Sequence, residues 1–502
     1  MTISLTEKLR REAGRLTTAV HHSDFWRDSG FGPDGKESEN SEESLNQIAR
    51  KIMVSDMMED AMEEDLDNIE SFSEERKANI QRIKDEKERL SVRRKAQKEA
   101  QRIDELVYGN EGTKNKWMKA KNLNDFSIVR KDFEELVEAE RNWAKRVIEL
   151  ENLDKEPYEI LLEEYESHID IQRIDKIFDK LKQRISSLLE ELDIPENQPK
   201  LSDFEQLSEL VDRPEELHRE IVFDLLKGDE ESILVKEGPY GMERGDAIMS
   251  GMNVNSDQPW PKAFGTTIHE FGHVDYRTYL PEKYVFTPLG EAASDTIDEA
   301  TARIWQTHVG YTKAFANQLC GLMEERGIEV DSEKVFKAFN AIDLDNNSRI
   351  NADELTYHLH VIVRYEIERD LINGDLEVSE LEEAWDRKMS EYLPLYNSDV
   401  PVGEKFLQDV HWAKGKFGYF PTYTLGSLAA TQIYKAAEYH LKDLDKAVKQ
   451  RNYRKLSDWL GTHFYQHGRR YDTDNLIERA SGEKFSAEPF LEHVEQKYRE
   501  LY

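Results

Sequence analysis

Apolar residues recur at helical spacing along most of this 502-residue chain. The clearest example runs from 56 to 107, where apolar side chains alternate with charges of both signs and glycine and proline are absent. This pattern favours a pair of long solvated helices packed on a core over a dimeric coiled coil. The segment 157–192 has the same helical pattern. Further helices are predicted at 201–226, 262–280, 290–325, 351–371 and 423–446.

Two stretches interrupt the helical pattern. Residues 27–44 are rich in glycine, serine and acidic residues, which predicts a loop. Residues 236–261 are rich in glycine and proline, and short β-strands are predicted there. Because the chain has no internal repeat and no interdomain linker, a single domain at 1–502 is predicted.

Composition narrows the class of partner. The chain has 103 acidic against 69 basic residues, a formal net charge of −34, so neither nucleic acid nor an anionic membrane is an expected partner. No apolar run is long enough to span a bilayer, and the N-terminus lacks the apolar stretch of a signal peptide. We therefore expect a cytoplasmic protein. The single cysteine, Cys320, excludes an internal disulfide.

The candidate chemistry begins with the motif H-E-x-x-H at residues 269–273. Because residues four apart share one helix face, His269 and His273 can bind one zinc ion. Glu270 is placed to accept a proton from water that the metal activates. The alternative is two surface histidines on an amphipathic helix. The preceding Gly/Pro-rich segment and the apolar pattern of the helix favour the metal site.

The next helical segment offers a third ligand. A catalytic zinc takes three protein ligands and keeps one position open. Asp295, Asp298 and Glu299 all lie in this segment, and Glu299 follows His273 by 26 residues (299 − 273). That separation is enough for a turn and an antiparallel return. Spacing alone leaves Asp295 and Asp298 nearly as good as Glu299.

A second segment has the spacing of a calcium-binding EF-hand loop. Asp343, Asp345 and Asn347 fall at positions 1, 3 and 5, and Glu354 falls at position 12. Position 6 needs glycine because the loop turns there with positive φ, but this chain has Ser348. The missing glycine argues against calcium.

Several ordered segments resemble the M32 metallocarboxypeptidases, the carboxypeptidase Taq family. TPLGEAASDTIDEATARIW (287–305) is similar to that family's second metal segment. SRINADELTYHLHVIVRYEIE (348–368) is similar to its I-R-x-x-A-D segment, and QDVHWAKGKFGYFPTYTLG (408–426) to its G-x-x-Q-D-x-H-W block. The resemblance covers residues 100–502 well and the first hundred residues poorly.

This resemblance implies roles for individual residues. It implies Glu299 as the third metal ligand and Arg349 as the residue that binds the terminal carboxylate of the substrate. The planar fork of a guanidinium matches a carboxylate, and this assignment competes with the calcium loop. His411, Tyr419 and Tyr423 come from the family's aromatic block and are candidates for binding the carboxylate or the developing oxyanion. Core packing is the alternative for the two tyrosines.

The resemblance also implies a fold and an activity. The expected fold is all-α, with long helices that line a deep groove, a small β-sheet at its edge and the zincin-type HExxH helix. Residues 1–200 would then cover the groove, and 201–502 would form the catalytic part. The expected activity is that of a zinc-dependent carboxypeptidase, with Co²⁺ or Mn²⁺ as substitutes, acting on peptides with a free C-terminus and usually forming a homodimer.

Two other functions stay open at this point. The first is an endo-acting zinc oligopeptidase, which would share the metal site but lack a carboxylate clamp. The second is an inactive zinc-containing or calcium-sensing interaction protein. Peptides with free and amidated C-termini would discriminate among these functions.

The chain departs from the family's motifs at four places, and the first two departures keep the inactive interaction protein open. H-P-F corresponds to Gly238-Pro239-Tyr240, and D-x-R-x-T corresponds to Asp246-Ala247-Ile248-Met249-Ser250. H-E-S/G-Q reads Asp298-Glu299-Ala300-Thr301, and the glycine that opens G-x-x-Q-D-x-H-W is Lys405. We expect zinc binding to survive all four changes. Substrate preference and the level of activity are the properties on which they bear.

Overall fold

A computed structural model describes most of the chain. The described residues are 4–28, 48–49, 51–53, 55–108, 112–167, 169–200, 203–204, 214–226, 228, 233–237, 241–244, 250–254 and 262–502. Helices dominate these residues, which confirms the all-α fold class. Most of the predicted loop at 27–44 lies outside them.

The chain divides into two compact units. The first comprises Met1–Leu90, Asn197–Ala341 and Gly426–Ser486, and the second comprises Ser91–Glu196, Ile342–Leu425 and Ala487–Tyr502. Both units are therefore assembled from separated parts of the sequence. The parts predicted at 1–200 and 201–502 stay a prediction.

The first unit contains both short and long helices. They span Leu5–Asp28, Asp56–Asp67, Pro214–Glu220, Lys262–Tyr279, Asp295–Arg303, Lys313–Glu324, Ser332–Phe339, Leu444–Lys449, Arg454–His463 and Thr473–Ser481. The π-helical turns Ile221–Leu225 and Ile304–Gly310 extend two of them. The helices Glu74–Lys95 and Phe420–Leu441 are shared between the units.

A three-stranded sheet also belongs to the first unit. Its strands are β1 (Ile233–Glu237), β2 (Gly241–Arg244) and β3 (Ser250–Val254), in the order β1-β3-β2. β1 pairs in parallel with β3, with Ile233 opposite Ser250. β2 pairs antiparallel with β3, with Arg244 opposite Ser250. β3 packs against the helix Lys262–Tyr279, which carries the HExxH motif.

The second unit is built from helices and turns among the described residues. Its helices span Gln97–Tyr108, Thr113–Leu123, Arg130–Glu151, Pro157–Leu162, Ile171–Glu191, Tyr357–Asn373, Leu381–Tyr392 and Glu488–Leu501. Aromatic rings form part of its core. Phe133 stacks on Trp412 and Phe417, with centroid distances of 6.3 and 6.2 Å.

Four of the predicted helices are interrupted, and the one at 423–446 breaks between Leu441 and Leu444. The segment 56–107 forms three helices instead of a pair, because the first ends at Asp67 with a 3₁₀ turn after it and a second break falls at Ala96. The segment 157–192 forms two, because Asp170 starts a new helix by accepting a hydrogen bond from the Arg173 N–H at 2.7 Å. In 290–325, Thr312 caps a new helix in the same way through Phe315. No helix among the described residues combines the length and apolarity needed to cross a membrane.

Candidate active site

The HExxH motif lies within the helix Lys262–Tyr279. Ile268 and Phe271 are buried on one side of this helix and hold it against the interior of the first unit. His269 and His273 lie one turn apart, and their ring centroids are 5.0 Å from each other. Helical periodicity therefore brings the two imidazoles together, as the motif predicts.

Glu299 completes a group of three candidate ligands. One ligand atom each from His269, His273 and Glu299 lies within 4.8 Å of the other two. His269 Nε2 is 3.8 Å from Glu299 Oε2. Within the described part of the chain, this is the one group of three or more His, Cys, Asp or Glu side chains close enough to hold a metal ion. Two imidazoles and a carboxylate fit a catalytic divalent cation such as zinc.

The two other acids of this segment are placed differently. Asp298 Oδ1 is 3.4 Å from His273 Nδ1, and Asp298 Oδ2 accepts a hydrogen bond from Arg277 at 3.0 Å. A metal-ligating histidine usually directs its other nitrogen to such a carboxylate, which fixes the ring. Asp298 is therefore placed to orient His273. Asp295 begins the helix Asp295–Arg303 and is not part of the ligand group.

Burial and nearby charges shift the ionisation of the motif. Burial raises the pKa of Glu270 to about 7, which suits a group that must accept and release a proton near neutral pH. Burial also lowers the pKa of His269 well below its ordinary value, so this imidazole is neutral. Burial would lower the pKa of His273, but the carboxylates of Asp298, Glu299 and Glu270 together outweigh it and raise that pKa to about 9.

Two glycines allow the helices that carry the ligands to approach closely. A Cβ atom at Gly272 would lie 2.6 Å from both Ala302 Cα and the carbonyl oxygen of Thr301. A Cβ atom at Gly426 would lie 2.8 Å from Glu299 Cβ. The helix with Glu299 is therefore packed closely against the HExxH helix on one side and the helix Phe420–Leu441 on another.

Arg349 lies in the second unit and is the buried residue of the 3₁₀ turn Arg349–Asn351. Its Nε and Nη2 atoms donate to Asp409 Oδ1 at 3.1 and 2.7 Å, and Nη1 donates to the Tyr357 hydroxyl at 3.1 Å. The guanidinium carbon is 4.8 Å from the Tyr423 ring centroid. A guanidinium has five N–H groups, so two make no hydrogen bond to the residues that the structure describes.

Asp409 is shared by two arginines. Arg364, which is fully buried, donates from Nε to Asp409 Oδ2 at 2.6 Å. Burial would raise the pKa of Asp409, but Arg349 and Arg364 outweigh it and hold the pKa far below its ordinary value. Two guanidinium charges therefore face one carboxylate, and this excess of positive charge favours an anionic ligand.

His411, Tyr419 and Tyr423 belong to the same cluster in the second unit. His411 Nε2 is 3.0 Å from the Tyr423 hydroxyl, and the rings of Tyr419 and Tyr423 are 5.2 Å apart between centroids. Burial lowers the pKa of His411 to about 3, so its imidazole is neutral. The two tyrosines are half-buried, so the alternatives of ligand contact and core packing both stay open. Four residues predicted to bind substrate therefore lie in one cluster: Arg349, His411, Tyr419 and Tyr423.

The segment with calcium-loop spacing uses its acids for other contacts. Asp353 Oδ1 accepts the backbone N–H groups of Leu355 and Thr356, both at 2.9 Å. Glu354 accepts from Lys497 Nζ at 2.5 Å. No metal-binding group forms there among the described residues. The geometry therefore does not favour the calcium interpretation.

The departures from the family's motifs are only partly visible. The segments 238–240 and 246–249 lie outside the described residues. Lys405 is buried, and its Nζ donates to Glu382 at 3.2 Å and to Asp386 at 2.8 Å. The φ of Lys405 is −85°, so its backbone does not require the glycine of the motif.

Sequence reasoning did not assign three of the contacts described here. Asp409 and Arg364 lie in segments that resemble the family, but no pattern in the sequence connects them to Arg349. Gln306 accepts a hydrogen bond from His269, a contact that the motifs do not predict. The sequence offered one signal for this contact: Gln306 follows Glu299 by seven residues, about two helical turns, which places it on the same helix face.

Comparison with known families identifies the chain. A model of the carboxypeptidase Taq (M32) metallopeptidase family matches residues 6–498. The chain belongs to this family. Membership makes it a carboxypeptidase-type peptide-bond hydrolase and implies a divalent metal, for which the His269, His273 and Glu299 group is the candidate site.

Individual relatives are also carboxypeptidases. Carboxypeptidase 1 of Bacillus subtilis is 28% identical over 493 residues, which cover 95% of this chain and 94% of the relative. Thermostable carboxypeptidase 1 of Thermus thermophilus is 38% identical over 242 residues, 48% of this chain and 47% of the relative.

Solved structures share the fold. The M32 carboxypeptidase from Deinococcus radiodurans R1 has a TM-score of 0.83 at 23% identity, covering 99% of this chain and 98% of that chain. The carboxypeptidase of Pyrococcus furiosus has a TM-score of 0.85 at 21% identity, covering 99% of each chain. At such identities the likeness bears on the fold alone.

Proposed function

We propose that the protein is a zinc-dependent carboxypeptidase that releases C-terminal amino acids from peptides with a free C-terminus. The observation that carries this proposal is the convergence of His269, His273 and Glu299 around a motif that also contains Glu270. Co²⁺ or Mn²⁺ are possible substitutes, because the same donor set suits them. When bound, such a cation supplies Lewis acidity, which polarises a carbonyl group and acidifies water.

Glu270 is the proposed general base. It accepts a proton from the attacking water and passes it to the amine that leaves when the C–N bond breaks. A pKa of about 7 supports both steps, since the carboxylate is a strong enough base and its protonated form a strong enough acid near neutral pH.

Arg349 is the proposed group that binds the terminal carboxylate. Arg349 and Arg364 carry two positive charges against the single negative charge of Asp409, and this excess of positive charge supports the role. The neutral His411 and the hydroxyls of Tyr419 and Tyr423 are proposed to hydrogen-bond the carboxylate or the developing oxyanion. Fixing the end of the peptide selects the last peptide bond for hydrolysis.

The state and location of the enzyme are also proposals. The family resemblance supports a homodimer, which sedimentation velocity at several concentrations would test. The strongly acidic composition is compatible with the cytoplasm, which cell fractionation would test.

One peptide in two forms tests the activity. The zinc-loaded protein is incubated with a peptide that has a free C-terminus and with the same peptide amidated, and the products are identified by mass spectrometry. Stepwise loss of C-terminal residues from the free acid alone is expected. Equal internal cleavage of both peptides would indicate an endopeptidase, and cleavage of neither by fully loaded protein would indicate an inactive one.

The metal content of two variants tests the ligand assignment. Glu299→Ala removes a ligand and should lose most of its zinc. Asp298→Ala removes the carboxylate next to His273, so its zinc affinity should fall only by about 10–100-fold. Zinc per protein chain is measured by atomic emission after dialysis at limiting zinc. A fully loaded Glu299→Ala protein would move the third ligand elsewhere.

A further inference from the structure

A π-helical turn presents Gln306 to the first candidate ligand. The turn Ile304–Gly310 follows directly on the helix that carries Glu299, and π-helical turns are frequent at functional sites. Gln306 Oε1 is 3.1 Å from His269 Nδ1. Gln306 is therefore in direct contact with the nitrogen of His269 that is not directed towards Glu299.

Two neighbours determine the orientation of the Gln306 amide. Arg303 Nη1 lies 2.9 Å from Oε1, and Gln306 Nε2 lies 3.0 Å from the Tyr311 hydroxyl. Because a guanidinium can only donate hydrogen bonds, the amide atom that faces Arg303 must be the oxygen. Tyr311 is held in turn by stacking on Phe339, with ring centroids 5.1 Å apart.

This orientation determines the tautomer of His269. The amide oxygen can only accept a hydrogen bond, so the hydrogen of the neutral imidazole lies on Nδ1. The lone pair then lies on Nε2, the atom that is 3.8 Å from Glu299 Oε2. We propose that Gln306 is a positioning residue of the metal centre, which holds His269 in the tautomer and ring orientation that make Nε2 the ligand atom.

The two histidines then have partners of different charge. His273 Nδ1 lies next to the Asp298 carboxylate, whereas His269 Nδ1 donates to a neutral amide. A carboxylate is a stronger acceptor than an amide and makes an imidazole a more basic ligand. Replacing the amide of Gln306 by a carboxylate should therefore preserve or strengthen metal binding, an outcome that a role in packing alone does not predict.

Zinc affinity of three apoproteins tests this inference, which rests on the proposed metal site. The wild type, Gln306→Leu and Gln306→Glu compete for zinc with a fluorescent chelator. The Leu variant lacks the acceptor and should bind zinc about 10–100-fold more weakly. The Glu variant should bind at least as tightly as the wild type, because its carboxylate accepts the same N–H and pairs with Arg303.

Gln318→Leu is a matched control. Gln318 is another glutamine of the first unit; it is buried and hydrogen-bonds to the Val448 carbonyl at 2.8 Å and the Tyr453 hydroxyl at 2.7 Å. Its variant should keep the zinc affinity of the wild type. If Gln306→Leu does not fold by circular dichroism, Gln306→Asn shortens the side chain out of reach and serves the same comparison.

The tautomer provides a second readout that needs no metal. In apoprotein labelled with ¹⁵N-histidine, long-range ¹H–¹⁵N spectra should show the Nδ1–H form for His269 in the wild type and a mixture of tautomers in Gln306→Leu. Equal zinc affinity in the wild type and both Gln306 variants, or an unchanged tautomer in the Leu variant, would overturn the inference. A wild-type apoprotein that binds no zinc would instead overturn the proposed metal site.

Discussion

The candidate metal group and the Arg349 cluster both gather ionisable side chains in buried surroundings, but they satisfy those groups differently. In the metal group, His269, His273 and Glu299 direct ligand atoms to within 4.8 Å of one another. In the second cluster, Arg349 already donates to Asp409 at 2.7 Å. The first arrangement gathers atoms that accept a cation, whereas the second is an ion-pair network with one positive charge in excess.

This difference predicts that the metal group contributes mainly to ligand binding and the Arg349 cluster mainly to the stability of the fold. Side chains that converge as ligands contribute to function when a cation is present. When one ligand is removed, the remaining ligands keep their other hydrogen-bond partners, so the fold is little affected. A carboxylate shared by two buried guanidiniums contributes to the fold itself, since removing it leaves buried charge without compensation. We therefore expect substitutions in the metal group to change metal binding and turnover, and substitutions at the shared carboxylate to change stability first.

The largest expected effect is on turnover. Glu270→Gln removes the proposed base but leaves His269, His273 and Glu299 in place, so zinc content should not change. The value of kcat should fall by about 10²–10⁴-fold, the typical contribution of general acid–base catalysis. Zinc content and steady-state kinetics on a free-acid peptide are measured together. Near-normal kcat in this variant would reject the assignment of the base.

The next effect is on stability in the Arg349 cluster. Asp409→Asn leaves Arg349 and Arg364 without a counter-charge, so the free energy of unfolding should fall by about 3–5 kcal/mol. Urea unfolding followed by tryptophan fluorescence measures this change. Asp445→Asn is the control, because Asp445 forms an exposed ion pair with Lys449, and its effect should stay within about 0.5 kcal/mol.

The pH dependence of the free energy of unfolding, compared between the wild type and Asp409→Asn, gives a second test. Because the pKa of Asp409 in the folded state lies below its ordinary value, its contribution to stability is fully present above pH of about 4. It is lost as the pH falls from there towards the folded-state pKa. The difference in stability between wild type and Asp409→Asn should therefore shrink below pH of about 4, and a constant difference would contradict the ionised state of Asp409.

Arg349→Ala tests whether the ion-pair network also binds substrate. Asp409 keeps Arg364 in this variant, so the fold and the zinc content should persist. Removing the charged partner of the substrate carboxylate should cost about 2–5 kcal/mol of transition-state stabilisation, measured as kcat/KM on a free-acid peptide. The amidated peptide, a poor substrate from the start, should change little. Equal small losses on both peptides would favour an endopeptidase.

The smallest expected effect concerns the packing that brings Glu299 to the histidines. In Gly272→Ala the new methyl group would lie 2.6 Å from the backbone at Thr301 and Ala302, so overpacking should destabilise the protein by about 1–3 kcal/mol. Zinc affinity should fall as well, because the helix with Glu299 must shift. Gly321→Ala is the control: among the described residues its methyl group would meet only Arg451 Nη2, at 3.6 Å, and the change should be neutral or stabilising.

The course of the helices was only partly predictable. Periodicity located most of them, including the helix with the HExxH motif, which was predicted at 262–280 and spans Lys262–Tyr279. The interruptions were missed because a side-chain cap involves only one or two residues, and a pattern that extends over three turns does not detect it. Asp170 and Thr312, each a typical cap residue, were the local signals.

By itself the sequence determined that His269 and His273 share one face of a helix, since that follows from helical periodicity alone. The order of its motifs also determined the family. Only the tertiary structure decided that Glu299 faces these histidines while Asp298 lies behind one of them, because three acids within five residues of one helix are distinguished only by how that helix is rotated and packed. Likewise, Asp409 follows Arg349 by 60 residues (409 − 349), and no local pattern pairs residues at that separation.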